Sequence, residues 1–171
     1  MNPDDSAYYK PMPESEMKLG HYDPTPPDFD RLIVNKPQLT FFSMPYGFNF
    51  GCGSNALSLV SGASPEVTSA YNFDKAHYSD ERMIAFMKLH GIEAFPLTIG
   101  NITNSKWTEN KLTRVHLLLI SQMYAKNVAS WSVILNLKYI IHNFEISPFS
   151  ATELIERPML SGYILYKKEW A

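Results

Sequence analysis

The sequence predicts an α+β protein with helices in the first half of its folded part and an antiparallel sheet in the second. Three observations carry that prediction. Apolar residues recur at helical spacing from Cys52 to Leu89, with glycines closing two of the runs. From His116 onward they give way to short runs rich in Val, Ile, Tyr and Trp, broken by turn residues. The two patterns follow one another without alternating, which is the order of an α+β protein and not of a doubly wound one.

Each element can be justified in turn. Cys52 to Ser61 carries Ala56, Leu57, Leu59 and Val60 and ends at Gly62, a residue suited to the left-handed C′ position. Ser64-Pro65-Glu66 offers a cap and a first-turn proline for a second, short helix. Ser79 caps a third, in which Met83, Ile84, Phe86, Met87 and Leu89 form an apolar face before Gly91. Ile92 to Ile99 reads as a strand, and Thr108 to Thr113 as a short helix. His116–Gln122, Ser130–Leu135 and Lys138–Phe144 read as strands, with Asn136-Leu137 as the turn of a hairpin. Ser150-Ala-Thr-Glu153 has capping-box spacing for a helix ended by Pro158, and Gly162–Lys168 makes the last strand.

Composition bounds the function. The chain has 171 residues, enough for one domain with its own core, and 45 % of them are apolar or aromatic. Runs such as His116–Ile120 are far short of the roughly 20 residues that cross a bilayer, so no membrane span is expected. No basic and apolar leader is visible at the N-terminus, and the single cysteine has no intramolecular partner; both point to a cytoplasmic setting. A net charge of −2 without a basic cluster argues against nucleic acid as a partner. There is no glycine-rich phosphate loop, no zinc-ligand spacing and no His-Glu-x-x-His, so neither cofactor nor metal is expected.

Two regions differ in texture. Residues 1–45 hold Pro3, Pro11, Pro13, Pro24, Pro26, Pro27, Pro37 and Pro45, eight of the twelve prolines in the chain. Proline removes an amide donor and fixes φ, so neither a regular helix nor an inner strand is possible there. Residues 1–44 are therefore an extended arm and 45–171 the folded domain. Tyr8, Tyr9, Met12, Met17 and Tyr22 are spread too thinly for the arm to order itself. Docking on the body or on neighbouring protein subunits would order it, in a homo- or hetero-oligomer.

Chemistry concentrates around Cys52. A thiol at a helix N-terminus sees the positive end of the dipole and free N–H groups, which favour thiolate. Gly51 and Gly53 leave room beside it. Against this, free cysteine is among the most buried residue types and packs well next to glycine.

The stretch Gly51-Cys-Gly-Ser-Asn-Ala-Leu57 resembles the nucleophile helix of papain-like cysteine peptidases, above all the bacteriocin-leader-processing branch and its phage-encoded relatives. Met83-Ile-Ala-Phe-Met-Lys-Leu-His-Gly-Ile92 is similar to the second helix of that branch. The resemblance spans about residues 45–168 in element order. It implies a papain-like fold, with a His-Trp pair opening a strand and an Asn or Asp on the next strand to orient the imidazole. Here the strand reads Ala129-Ser130-Trp131, so Ser130 stands at the family's base position, while Asn143 matches the orienting one. The family's oxyanion Gln falls on Tyr46, with Asn49 nearby. His142, on the strand after Ser130, is the candidate replacement base, with His116 second. The resemblance thus leaves two functions open. One is a virion structural protein of a bacteriophage, built on an inactivated peptidase domain. The other is an active cysteine peptidase or amidase using Cys52, His142, Asn143 and Asn49.

Overall fold

The computed structural model describes residues 29–43, 49–97, 116–125, 128–150, 152–157 and 159–171. The helix read at Thr108–Thr113 and the arm up to residue 28 lie outside them.

Helices α1 (Cys52–Ser61), α2 (Pro65–Tyr71) and α3 (Asp80–Leu89) form where the caps and glycines place them. Ser64 and Ser79 each accept a backbone N–H, from Val67 and Arg82 respectively. Gly62 closes α1 in the left-handed region at φ 81°, its N–H bonded to the Ser58 carbonyl. The strands are β1 (Glu93–Pro96), β2 (Leu117–Ala125), β3 (Val128–Leu135), β4 (Tyr139–His142), β5 (Glu145–Pro148) and β6 (Met159–Tyr166). A single turn of helix, α4 (Glu153–Glu156), precedes β6. The protein is α+β.

The six strands make one sheet in the order β1-β6-β2-β3-β4-β5, antiparallel at every pairing. Its middle strands are buried on both faces, which explains the unbroken apolar run Leu117–Ile120. Leu117, Leu119, Val133, Ile141 and Leu165 face the helices, and pack with Leu57, Leu59, Met83, Phe86 and Met87. Leu118, Ile120, Ile134 and Ile164 face the other way and pack with Leu32, Leu97, Leu137, Phe149 and Met159. This alternation is the two-residue period of a pleated strand.

The segment read as one strand, Lys138–Phe144, is instead β4 followed by the turn into β5. Asn143 and Phe144 take φ of 48° and 67°, both left-handed, so the chain reverses in two residues. Asn136 and Leu137, at φ 57° and 54°, form the expected turn between β3 and β4 in the same way. Residues 29–43, the end of the stretch read as an arm, lie along the body. Val34 is fully buried, Asn35 and Lys36 donate to the Trp170 carbonyl, and Thr40 donates to that of Leu59.

Helix α1 approaches its neighbours closely at Gly53. A Cβ there would stand 2.6 Å from the Tyr78 Cβ, and Tyr78 is itself buried, its hydroxyl donating to the Thr68 carbonyl. Neither side can move without disturbing the other. Gly53→Ala should therefore destabilise the fold by about 1–3 kcal/mol, the usual cost of overpacking, read as a lower urea midpoint at unchanged m-value.

Candidate functional site

Helix α1 points its N-terminus at the place where β3 and β4 part. The ladder between those strands has its last pair at Val133 and Ile141, so the Trp131 N–H has no strand partner on that side. It donates instead to Cys52 Sγ, at 3.3 Å. The Trp131 indole N–H donates to the Tyr78 carbonyl at 2.9 Å, so one residue of β3 holds both α1 and the segment before α3.

The thiol is 5 % exposed. Burial pushes its pKa up, and the hydrogen bonds from Trp131, Ser130 and the backbone of α1 only offset part of that rise. The sequence suggested a thiolate favoured by the helix dipole. In the fold desolvation dominates, and Cys52 is a neutral thiol at pH 7.

Ser130 is 4 % exposed. Its Oγ lies 2.7 Å from His142 Nε2. His142 is held below its ordinary range chiefly by burial, with Glu145 pulling the other way, so its ring is neutral at pH 7. With that ring neutral, a coherent assignment of protons has the Ser130 O–H donate to His142 Nε2. His142 thus enters the constellation through Ser130.

Asn143, the first residue of the turn after β4, reaches α1. Its Oδ1 accepts from Asn55 Nδ2 at 2.9 Å. The second hydrogen of that amide goes to Asn49 Oδ1, also at 2.9 Å, and Asn49 Oδ1 accepts the Gly51 N–H at 2.8 Å. Asn55 therefore ties the loop before α1 to the β4–β5 turn. The sequence singled out Asn49 and Asn143 but missed Asn55, which stands among the serines of α1 with no local signal of its own. His116 is fully buried opposite Asn136, at the far end of the β2–β3 pair from Ser130. Six residues of strand separate it from Gln122, the partner of Ser130, or about 20 Å.

On the face of the sheet away from the helices, Ser130 and His142 line a cleft of about 160 Å³ with Gln122, Met123, Ser132, Ile140 and Arg157. Among the described residues no group of three or more His, Cys, Asp or Glu is placed to hold a metal ion, and no helix is long and apolar enough to cross a membrane.

No family model, curated protein or solved structure matches the chain.

The thiol's raised pKa couples it to folding. Unfolding frees Cys52 to ionise near pH 8.5, while the folded state keeps the proton to higher pH. Above pH 8.5 the folded state then binds more protons than the unfolded one, and stability falls as pH rises. Urea denaturation between pH 8 and 10 should show that fall, and Cys52→Ala should make the slope shallower. An unchanged slope would contradict the assignment.

Proposed function

We propose that this protein is a structural or assembly component, built on a papain-like domain whose peptidase chemistry has been lost. The observation that carries the reading is the hydroxyl at residue 130. A papain-like site needs an imidazole in contact with the thiol to take its proton. Here residue 130, next to the Trp131 whose N–H meets the thiol, is a serine, and a serine hydroxyl is far too weak a base at neutral pH. Burial adds to this by holding the thiol neutral.

The papain-like part of the proposal rests on the motif around Cys52 and on its agreement with the fold. A cysteine opens α1, a tryptophan on β3 donates its N–H to the thiol, and an asparagine directly follows the next strand. The virion setting rests on the resemblance to phage-encoded proteins alone. The partners we propose are neighbouring protein subunits, engaged through the proline-rich arm.

The discriminating measurement is the pH dependence of Cys52 alkylation, which is free of interference because the chain has no second thiol. In the native state iodoacetamide should react slowly at every pH below 9, with a rate that climbs only at high pH. In guanidinium chloride the same residue should titrate near its unperturbed value of about 8.5. A rapid native reaction persisting to pH 6 would mean a thiolate held by an imidazolium and would reverse the reading in favour of a cysteine peptidase.

A further inference from the structure

The tightest contact around Ser130 is with His142, and it opens on the side of the sheet away from the thiol. Three features converge there. Ser130 Oγ is 2.7 Å from His142 Nε2, within the range a general base needs to take a hydroxyl proton. Glu145 pairs directly with His142 across the two-residue turn at Asn143 and Phe144. Side chains opposite one another in such a pair share a face, and Glu145 acts on the imidazole electrostatically. Both Ser130 and His142 line the 160 Å³ cleft. A cavity of about that size admits a molecule as large as benzene.

We propose that Ser130 and His142 form a serine-type acyl-transfer site for short-chain esters, with Ser130 as nucleophile and His142 as general base, and with the Glu145 carboxylate favouring the imidazolium that forms. Ser130 Oγ adds to the ester carbonyl carbon while its proton passes to His142 Nε2. The tetrahedral intermediate collapses by breaking the bond to the alkoxy oxygen, and the alcohol leaves with that proton. Water then attacks the acyl-Ser130 ester, giving its proton to His142, and the carboxylic acid leaves as Ser130 is restored. The Ser132 hydroxyl and the Gln122 amide, on the same wall of the cleft, supply donors for the oxyanion. Gln122 uses one amide hydrogen on the Arg157 carbonyl and keeps a second. The site is neutral at rest, because the imidazole is uncharged.

The test is acylation of the full chain by p-nitrophenyl acetate, followed by intact mass and by peptide mapping of the adduct. One acetyl group should appear on Ser130. His142→Ala should slow its appearance by a factor of about 10² to 10⁴, the usual contribution of a general base. Glu145→Gln should slow it less and move the lower pKa of the rate profile further down, because the carboxylate that favours the imidazolium is gone. Mapping on the natural chain decides the matter even where a variant folds poorly. No adduct, or acetylation of surface lysines alone, would overturn this proposal and leave the scaffold reading standing. An acetyl group on Cys52 would overturn both.

Discussion

The bond from the Trp131 N–H to Cys52 Sγ organises this molecule. A sheet strand that outruns its neighbour leaves an amide facing neither strand nor water, and an unmet buried donor costs about 1–3 kcal/mol. Here β4 turns away beyond Ile141, and the first residue of α1 meets the amide that β4 leaves unpaired. The thiol therefore fixes where the helix begins relative to the sheet. With α1 held there, Gly53 must pass against Tyr78, the Trp131 indole can reach the Tyr78 carbonyl, and Asn55 falls between Asn49 and Asn143. Retention of a cysteine between two glycines in a site without a base then has a structural reason. Sulfur accepts the amide, fills a small space beside it, and needs no charge to do either.

The parting of β3 and β4 also explains why the polar groups divide into two sets. β4 carries His142 on the cleft side, while the turn that follows it brings Asn143 to α1. On β3, Trp131 donates its N–H to the thiol and the adjacent Ser130 meets the imidazole. Neighbouring residues of one strand thus serve the two sets. A histidine at residue 130 would have brought an imidazole to the thiol directly; the serine instead leaves the nearest imidazole to the cleft.

Much of this was legible in the sequence, for local reasons. Ser64 and Ser79 before acidic turns, and Gly62 after an apolar run, are signals whose physics acts within four residues, and the helices begin and end there. The division of His142 from Asn143 was read from strand alternation, whereas in the fold it is the turn after His142 that separates them. What escaped was decided at longer range or by a weak local preference. Asn143-Phe144 is a poorer turn signal than Asn-Gly, because a bulky phenylalanine at positive φ is unfavourable. Its strain is met by packing, with the Phe144 ring 6.0 Å from that of Phe42, and β5 was missed with it. Asn55 was missed because a polar residue on a helix reads as solvent-facing. Its partner Asn143 is 88 residues away, and no periodicity within α1 announces it.

The charge state of Cys52 was the one inference in which two real effects opposed each other, and magnitudes decide it. A helix N-terminus favours a nearby anion by about 0.3–1 kcal/mol, and by up to about 2 kcal/mol when partly buried. Moving an anion out of water into the interior costs several kcal/mol even after the surroundings relax. The dipole prevails only where the thiol keeps some contact with water or gains a cation. Among the described residues Cys52 has neither: it is buried, and the residue before Trp131 is an uncharged serine. A cysteine at a helix N-terminus is therefore half of an activated site. The other half is the neighbour that makes burial of the charge tolerable, and in this chain that neighbour is a serine.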